Sequence, residues 1–162
     1  MLEQDFVEAI RSPALRRLAG YWQQRHRPRG GLPGRSDIDP SDFVWLLGRV
    51  FLIEVLQERP ELDFRFRLFG SQMAQVYGRD LTGRRLSEID DREFSAALRP
   101  DYMAVVETGL PSHRRGRLEW SGRGHIGYER ILLPLAGDGE RVDMLLGASI
   151  YDLPGTGAHA GR

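Results

Sequence analysis

Residues 50–56 constrain the fold more than any other segment of the chain. Six of these seven residues are apolar, and most have the β-branched or aromatic side chains that favour strands. A polar turn follows at residues 57–61, after which Phe64, Phe66 and Leu68 alternate with two arginines, the pattern of a half-buried strand. The two segments predict an antiparallel β-hairpin whose first strand lies in the middle of a sheet.

The end of the chain predicts three further strands. Residues 115–121, 128–135 and 142–150 place apolar side chains at alternate positions. The sequence Gly-Asp-Gly at 137–139 suits a hairpin turn between the last two of them. The pattern therefore predicts five antiparallel strands in all.

Helical segments separate the two groups of strands. Ser71 is predicted to cap a short helix, and residues 86–90 suit another helical turn. A longer helix is predicted over residues 91–107, where Pro100 is expected to interrupt or kink it and Gly109 to end it.

Two amphipathic helices are predicted before the first strand. Ser12 suits the cap of the second helix and Pro13 its first position, while Pro28 ends it. Asp39 and Pro40 repeat the same cap-and-proline signal at the start of a short helix that leads into the first strand.

These elements divide the chain into four parts. Residues 1–27 form an N-terminal helical extension, 28–49 a linker and short helix, 50–152 the core, and 153–162 a tail that is expected to be disordered. The predicted class is α+β: a five-stranded antiparallel sheet with short helices and one long helix on one face, preceded by the N-terminal helices.

Composition excludes several kinds of chemistry. The 23 basic residues are all arginine, so there is no lysine for a Schiff base or a phosphate-binding loop. Cysteine is absent, which removes disulfides, thiolate nucleophiles and cysteine-ligated metals. No signal peptide or membrane span is evident, so we expect a cytoplasmic protein.

The basic and acidic residues balance at 23 each. A nucleic-acid-binding domain normally has a basic excess, so no nucleic-acid partner is expected. A local cluster of arginines indicates a solvated linker; its members are Arg25, Arg27, Arg29 and Arg35. An adaptor that binds RNA or DNA through this cluster is kept as an alternative.

Four segments resemble the PAS domain. Residues 64–70 followed by 78–86 are similar to its strand, helix and G-x-x-L-x-G-x-x-L passage, and residues 132–135 followed by 142–147 are similar to its last hairpin. The resemblance implies an antiparallel sheet with a ligand-sized pocket on one face and a sensory or regulatory role.

A narrower resemblance is to small single-domain bacterial PAS proteins, which are common in alphaproteobacteria. It depends on the tryptophan-containing helix, here with Tyr21 and Trp22, and on the Asp-Ile-Asp-Pro sequence at 37–40.

The PAS resemblance limits the cofactors. Covalent flavin and coumaroyl adducts both need a cysteine and are excluded, although noncovalent flavin is not. Haem-binding members use a histidine on the long helix, and residues 91–109 contain none, so haem is not expected. The ligand is left unknown. The four histidines are interpreted as solvated or outside the core; they are His26, His113, His125 and His159.

Citrate-type members surround their anion with basic residues. Four arginines are candidates for such a role: Arg114, Arg115, Arg117 and Arg130. Alternation places Arg115 and Arg117 opposite Leu118 and Trp120, which favours the solvent face for these two.

The predicted ligand pocket is apolar with a few polar groups, as small-molecule sites usually are, and ordinary core packing is the alternative. Its residues are Met73, Tyr77, Phe94, Leu98, Tyr102, Tyr128, Met144 and Ser149. A partner or homodimer surface is predicted on the N-terminal helices, with cover of the chain's own sheet as the alternative. Its residues are Leu2, Phe6, Ile10, Leu15, Leu18 and Trp22.

The predicted function is a sensory or regulatory module that binds a small molecule or a protein partner in signal transduction. No catalytic or metal-ligating set is evident, so the chain is not expected to be an enzyme. The alternative is a small α+β enzyme of isomerase or dehydratase type, which would need His125 or Asp143 deep in a cleft beside Tyr128.

Overall fold

The computed structural model describes residues 2–58, 60–118 and 123–153. It contains four α-helices, five strands and three 3-10 helices within those residues. In chain order they are α1 Leu2–Ala9, α2 Pro13–Gln24, the 3-10 helices Arg35–Asp37 and Pro40–Arg49, β1 Val50–Leu56, β2 Asp63–Phe69, α3 Ser71–Tyr77, the 3-10 helix Leu86–Glu88, α4 Arg92–Thr108, β3 Ser112–Leu118, β4 Arg123–Leu135 and β5 Met144–Tyr151.

The five strands form one antiparallel sheet in the order β2-β1-β5-β4-β3. The last strand of the chain, β5, therefore lies in the centre, between β1 and β4. This confirms the predicted α+β class and sheet. The predicted bounds of β1 agree with the structure, whereas β3 and β4 begin earlier than predicted, at Ser112 and Arg123. Trp120, which the prediction placed on β3, lies outside the described residues.

The N-terminal helices pack across one face of the sheet, which we call the outer face. Ile10, Leu15, Leu18 and Trp22 are fully buried there against alternate residues of β4 and β5. The indole Nε1 of Trp22 also donates a hydrogen bond to the carbonyl oxygen of Pro134, 2.9 Å away. The amphipathic stripe thus covers the chain's own sheet, because its apolar side chains match an equally apolar sheet face.

This packing corrects the predicted partner surface. Four of its six residues have no exposed surface, so a homodimer built on them would require the two helices to leave the sheet. Phe6 is partly buried against the same cluster, and the side chain of Leu2 lies outside the described residues.

The start of α2 has the predicted cap and the predicted first residue. Ser12 is the N-cap and its Oγ accepts a hydrogen bond from the backbone N–H of Leu15, while Pro13 is the first helical residue. Asp39 is likewise the N-cap of the 3-10 helix Pro40–Arg49, and Pro40 is its first residue. The backbone of this helix departs from helical geometry at Phe43.

The segment after α2 makes several hydrogen bonds to the rest of the chain, which a solvated linker would not make. The guanidinium of Arg27 donates to the carbonyl oxygens of Ala136 and Gly137, and Pro33 accepts a backbone hydrogen bond from Ala136. Arg25 pairs with Asp42, and Arg35 donates to a backbone carbonyl. Three of the four clustered arginines therefore have partners within the chain.

Helices α3 and α4 cover the opposite face, which we call the inner face. The backbone at Gly70 passes so close to the carbonyl oxygens of Gly48 and Val50 that a Cβ atom would collide with both. Gly70 is the N-cap of α3, and Ser71, which was predicted as the cap, is its first helical residue. A close approach of backbones explains this glycine, which alternation alone did not show.

Helix α4 runs without interruption from Arg92 to Thr108 although it contains Pro100. The expected interruption is therefore not present. Pro100 is exposed, and it cannot donate to the carbonyl four residues earlier, so the helix continues without that one hydrogen bond. Gly109 ends the helix with a φ of 66°, as predicted.

Within residues 2–58, 60–118 and 123–153, no helix combines the length and apolar character needed to cross a membrane.

Candidate functional site

A cavity of about 60 Å³ lies between α4 and the inner face of the sheet. It is apolar over most of its wall, with a few polar groups. The described residues that line it are Phe51, Phe66, Phe69, Met73, Phe94, Ala97, Leu98, Tyr102, Leu118, Tyr128, Arg130, Ser149 and Tyr151. Strands β1, β2, β3, β4 and β5 and helices α3 and α4 all contribute, so the cavity exists only when the whole domain is assembled.

The central strand explains why space remains here. The inner-face positions of β5 near the cavity are occupied by Gly147 and Ser149, whose side chains are too small to reach α4. Phe51 is the neighbour of Gly147 on β1, and its ring lies where a Cβ atom on residue 147 would have to be. The ring therefore covers Gly147 and forms part of the cavity wall.

Arg130 is the charged group of the cavity wall. Its side chain is 8% exposed and donates a hydrogen bond to one carboxylate oxygen of Asp101, on α4. The other oxygen of Asp101 accepts a 2.7 Å hydrogen bond from Arg114, on β3. Two guanidinium groups thus share one carboxylate, and this cluster ties α4 to two strands of the sheet.

Tyr102 is a buried polar group at the same wall. The residue is 1% exposed and lines the cavity. Burial raises the pKa of Tyr102 above its usual range, and the nearby positive charge of Arg130 only partly opposes this. The hydroxyl therefore stays protonated and is a hydrogen-bond donor at the cavity wall.

Tyr151 and Ser149 complete the polar side of the cavity. Burial raises the pKa of Tyr151, while a hydrogen bond with Ser149 and the charge of Arg130 act in the opposite direction. Ser149 is itself buried. The polar groups of the described wall are four neutral hydroxyl side chains and one guanidinium. The described wall therefore offers hydrogen-bond donors and no negative charge.

The size of the cavity limits what it can hold in this conformation. A volume of about 60 Å³ corresponds to about four ordered water molecules or one small organic molecule. A flavin ring system or a porphyrin is far larger, and the described side chains leave no room for either. The residues present therefore do not fit a flavin or a haem unless α4 moves away.

Six of the eight predicted pocket residues line this cavity: Met73, Phe94, Leu98, Tyr102, Tyr128 and Ser149. Tyr77 lies behind the wall, where its ring packs against Phe94 at a centroid distance of 4.5 Å. Met144 does not reach the cavity. It lies on the outer face and packs against the cluster beneath the N-terminal helices.

The predicted pocket set omitted seven residues of the wall, although Arg130 was predicted separately as a candidate for anion binding. The seven are Phe51, Phe66, Phe69, Ala97, Leu118, Arg130 and Tyr151. A usable signal existed for Arg130. It shares strand parity with Tyr128, so alternation places the two on the same face.

The other predicted polar candidates lie elsewhere. Arg115 and Arg117 are exposed, and neither lines the cavity. His125 and Asp143 are also exposed, so neither has the deep position that the enzyme alternative required. His159 lies outside the described residues. His26 is on the outer-face side, with its ring 4.4 Å from that of Trp22.

His113 is not the solvated residue that its position at a strand end indicated. Its Nε2 is 2.8 Å from Glu129, a carboxylate that is only 8% exposed. The same carboxylate accepts hydrogen bonds from the backbone N–H groups of Arg11 and Ser12, at 2.8 and 2.7 Å. This cluster fastens the junction between α1 and α2 to the outer face of the sheet.

The pKa of Glu129 follows from these contacts. Burial would raise it, but the hydrogen bonds from Arg11, His113 and Ser12 outweigh burial and hold the pKa below its ordinary value. The ionised carboxylate is therefore the form that the folded chain favours.

Comparison with known proteins identifies one matching family model. A model described as "PAS domain" matches residues 10–150, which is most of the chain. No curated protein matches significantly. A crystal structure of a Rhodobacter sphaeroides LOV protein is 16% identical with a TM-score of 0.41, over 75% of this chain and 72% of that one. The structure of an RsLOV variant is 18% identical with a TM-score of 0.40, over 76% and 74%.

Proposed function

Because the chain belongs to the PAS domain family, we propose that it is a sensory module that binds a small molecule in the cavity beneath α4 and passes the signal to a protein partner. The family makes a sensory signalling role the expected one.

The cavity carries the proposal. Protein cores are normally packed without voids larger than a water molecule, and a gap of this kind lowers stability because its wall loses contacts. Here the gap is lined with apolar rings together with two polar groups, the buried guanidinium of Arg130 and the hydroxyl of the buried Tyr102. Apolar walls with a few placed polar groups are the usual composition of a small-molecule site.

Helix α4 is the element through which binding would be transmitted. Phe94, Leu98 and Tyr102 place one side of this helix on the cavity, and Asp101 ties it to the sheet. A ligand that fills the cavity or disturbs this tie changes how α4 packs. The exposed side of the same helix then presents a different surface to a partner, with no covalent chemistry needed.

Native mass spectrometry of the protein purified from its own host tests the first step. We expect a reproducible extra mass over the denatured chain, equal to that of one small molecule. Leu98→Trp, which fills the cavity from α4, should abolish it because the indole occupies the ligand's volume.

Ala96→Trp is the matched control. Residue 96 lies on the exposed side of α4 and does not line the cavity, so its variant should keep the extra mass. A bare mass for the wild type, or an extra mass that survives Leu98→Trp, would contradict a ligand in this cavity.

A further inference from the structure

We propose that the ligand is a short-chain carboxylate whose anionic group binds Arg130, replacing Asp101 on that guanidinium. This inference rests on the proposed function, since it specifies the chemistry of the same cavity. It follows from the charge of the cavity wall, from the donors that surround it and from its size.

The charges are unbalanced in favour of an anion. Among the described residues that line the cavity, Arg130 is the one charged group, and none is acidic. Arg130 and Arg114 share the single carboxylate of Asp101, so the cluster retains one positive charge. A second carboxylate beside Arg130 would neutralise it, and a buried guanidinium favours a planar oxyanion that it can bind through two N–H groups.

The other polar groups are suited to the same head group. The buried Tyr102 and the half-buried Tyr128 each bring a phenol hydroxyl to this part of the wall. Both rings line the cavity together with Arg130. A carboxylate oxygen accepts several hydrogen bonds at once, so it can accept from hydroxyl donors that an apolar ligand cannot engage.

Size and surroundings decide the rest of the ligand. The remaining wall near α4 consists of apolar side chains such as Phe94 and Leu98. A cavity of about 60 Å³ leaves room for a few carbon atoms beyond the head group and not for an acyl chain of lipid length. This favours acids of the propionate and butyrate class.

The exchange at Arg130 is possible because Asp101 has a second partner. When a ligand takes Arg130, Asp101 keeps its 2.7 Å hydrogen bond to Arg114, whose side chain is 54% exposed, so no carboxylate is left buried without a cation. The contact between α4 and β4 is then lost while the contact between α4 and β3 remains. Ligand binding would thereby loosen one specific tie of α4.

Isothermal titration with wild-type protein is the first test, because it does not depend on any variant folding. Propionate and butyrate are compared with propionamide and butyramide, which have the same shape and no charge. We expect the acids to bind about tenfold more tightly or better, the difference between charge-assisted and neutral hydrogen bonds. Equal binding of acids and amides would overturn the carboxylate assignment and leave a ligand cavity in place.

Two arginine variants then locate the head group. Arg130→Gln and Arg114→Gln each remove one partner of Asp101, but only residue 130 lines the cavity. We expect the preference for acid over amide to disappear in Arg130→Gln and to persist in Arg114→Gln, in samples whose circular dichroism matches that of the wild type. The same preference in both variants would overturn the role of Arg130.

Asp101→Asn tests the competition. Removing the internal carboxylate should increase acid affinity about tenfold or more, because the ligand no longer displaces a charged partner. It should also make the rise in melting temperature caused by butyrate larger than in the wild type. Unchanged acid affinity in Asp101→Asn would overturn the exchange. A wild type that binds neither acids nor amides and shows a bare native mass would contradict the proposed function itself.

Discussion

The two faces of the sheet are covered by helices in different ways. On the outer face, residues Leu146 and Ala148 of β5 are buried under a closed apolar layer that includes Trp22. On the inner face, Gly147 and Ser149 of the same strand leave a gap beneath α4. One strand thus supplies filling side chains to one face and small side chains to the other. The outer face is therefore a closed apolar layer, whereas the inner face keeps the cavity in which a ligand is proposed to bind.

The largest expected effect is the loss of Trp22. Trp22→Ala should lower the free energy of unfolding by about 3–5 kcal/mol, because it leaves a large void in a closed layer and removes the hydrogen bond to Pro134. Urea unfolding at neutral pH measures this. Gln24→Ala, at an exposed position of the same helix, should change stability by less than about 0.5 kcal/mol. A cost below about 1 kcal/mol for Trp22→Ala would mean that the helices are loosely attached.

Glu129 is the polar attachment of the same layer. Glu129→Gln should cost about 2 kcal/mol, since the carboxylate accepts hydrogen bonds from two backbone N–H groups and from His113. Its folded pKa lies below the ordinary value of 4.5, so its stabilisation is present above about pH 4.5 and is lost as the pH falls below that.

Denaturant unfolding at pH 7 and at pH 3.5 tests this attachment. Wild type and Glu129→Gln should differ at pH 7 and converge at the lower pH, because the carboxylate is then increasingly protonated. A constant difference at both values would show that shape rather than charge holds the junction between α1 and α2.

Overpacking distinguishes the two faces directly. Ala148→Leu adds carbon atoms to the closed outer layer and should lower the free energy of unfolding by about 1–3 kcal/mol. Chemical denaturation gives the value. A neutral result would show that the outer face also contains unused space, which would remove the contrast with the inner face.

The smallest expected effect comes from the corresponding change on the inner face. Leu98→Phe extends a side chain into the cavity, so it should change the free energy of unfolding by less than about 1 kcal/mol in either direction. The same denaturation experiment measures it beside Ala148→Leu. A loss as large as that of the outer-face variant would show that the inner cavity has no free volume to accept the ring.

Local signals predicted much of the fold. The bounds of β1, the cap at Ser12, the end of α4 at Gly109 and the five-stranded sheet follow from side-chain alternation, capping and glycine positions. These features depend on neighbouring residues, whose spacing is visible in the sequence. The predicted domain boundaries and the disordered tail stay predictions, and residues 154–162 lie outside the described structure.

The candidate site was predicted less completely, for a geometric reason. Met144 and Ser149 are five residues apart on β5, so alternation puts them on opposite faces and only one can reach the cavity. Which face holds the cavity depends on where α4 packs. Similarly, alternation and amphipathicity showed that Trp22 belongs to a buried stripe, but not whether a partner or the chain's own sheet buries it.

The sequence by itself determined the order and type of the elements, because periodicity and caps act over a few residues. Only the tertiary structure decided that Arg130 is a buried cavity residue. Its partner Asp101 lies 29 positions away on another element. Burial of a charge depends on such a distant partner, and a strand pattern cannot supply it.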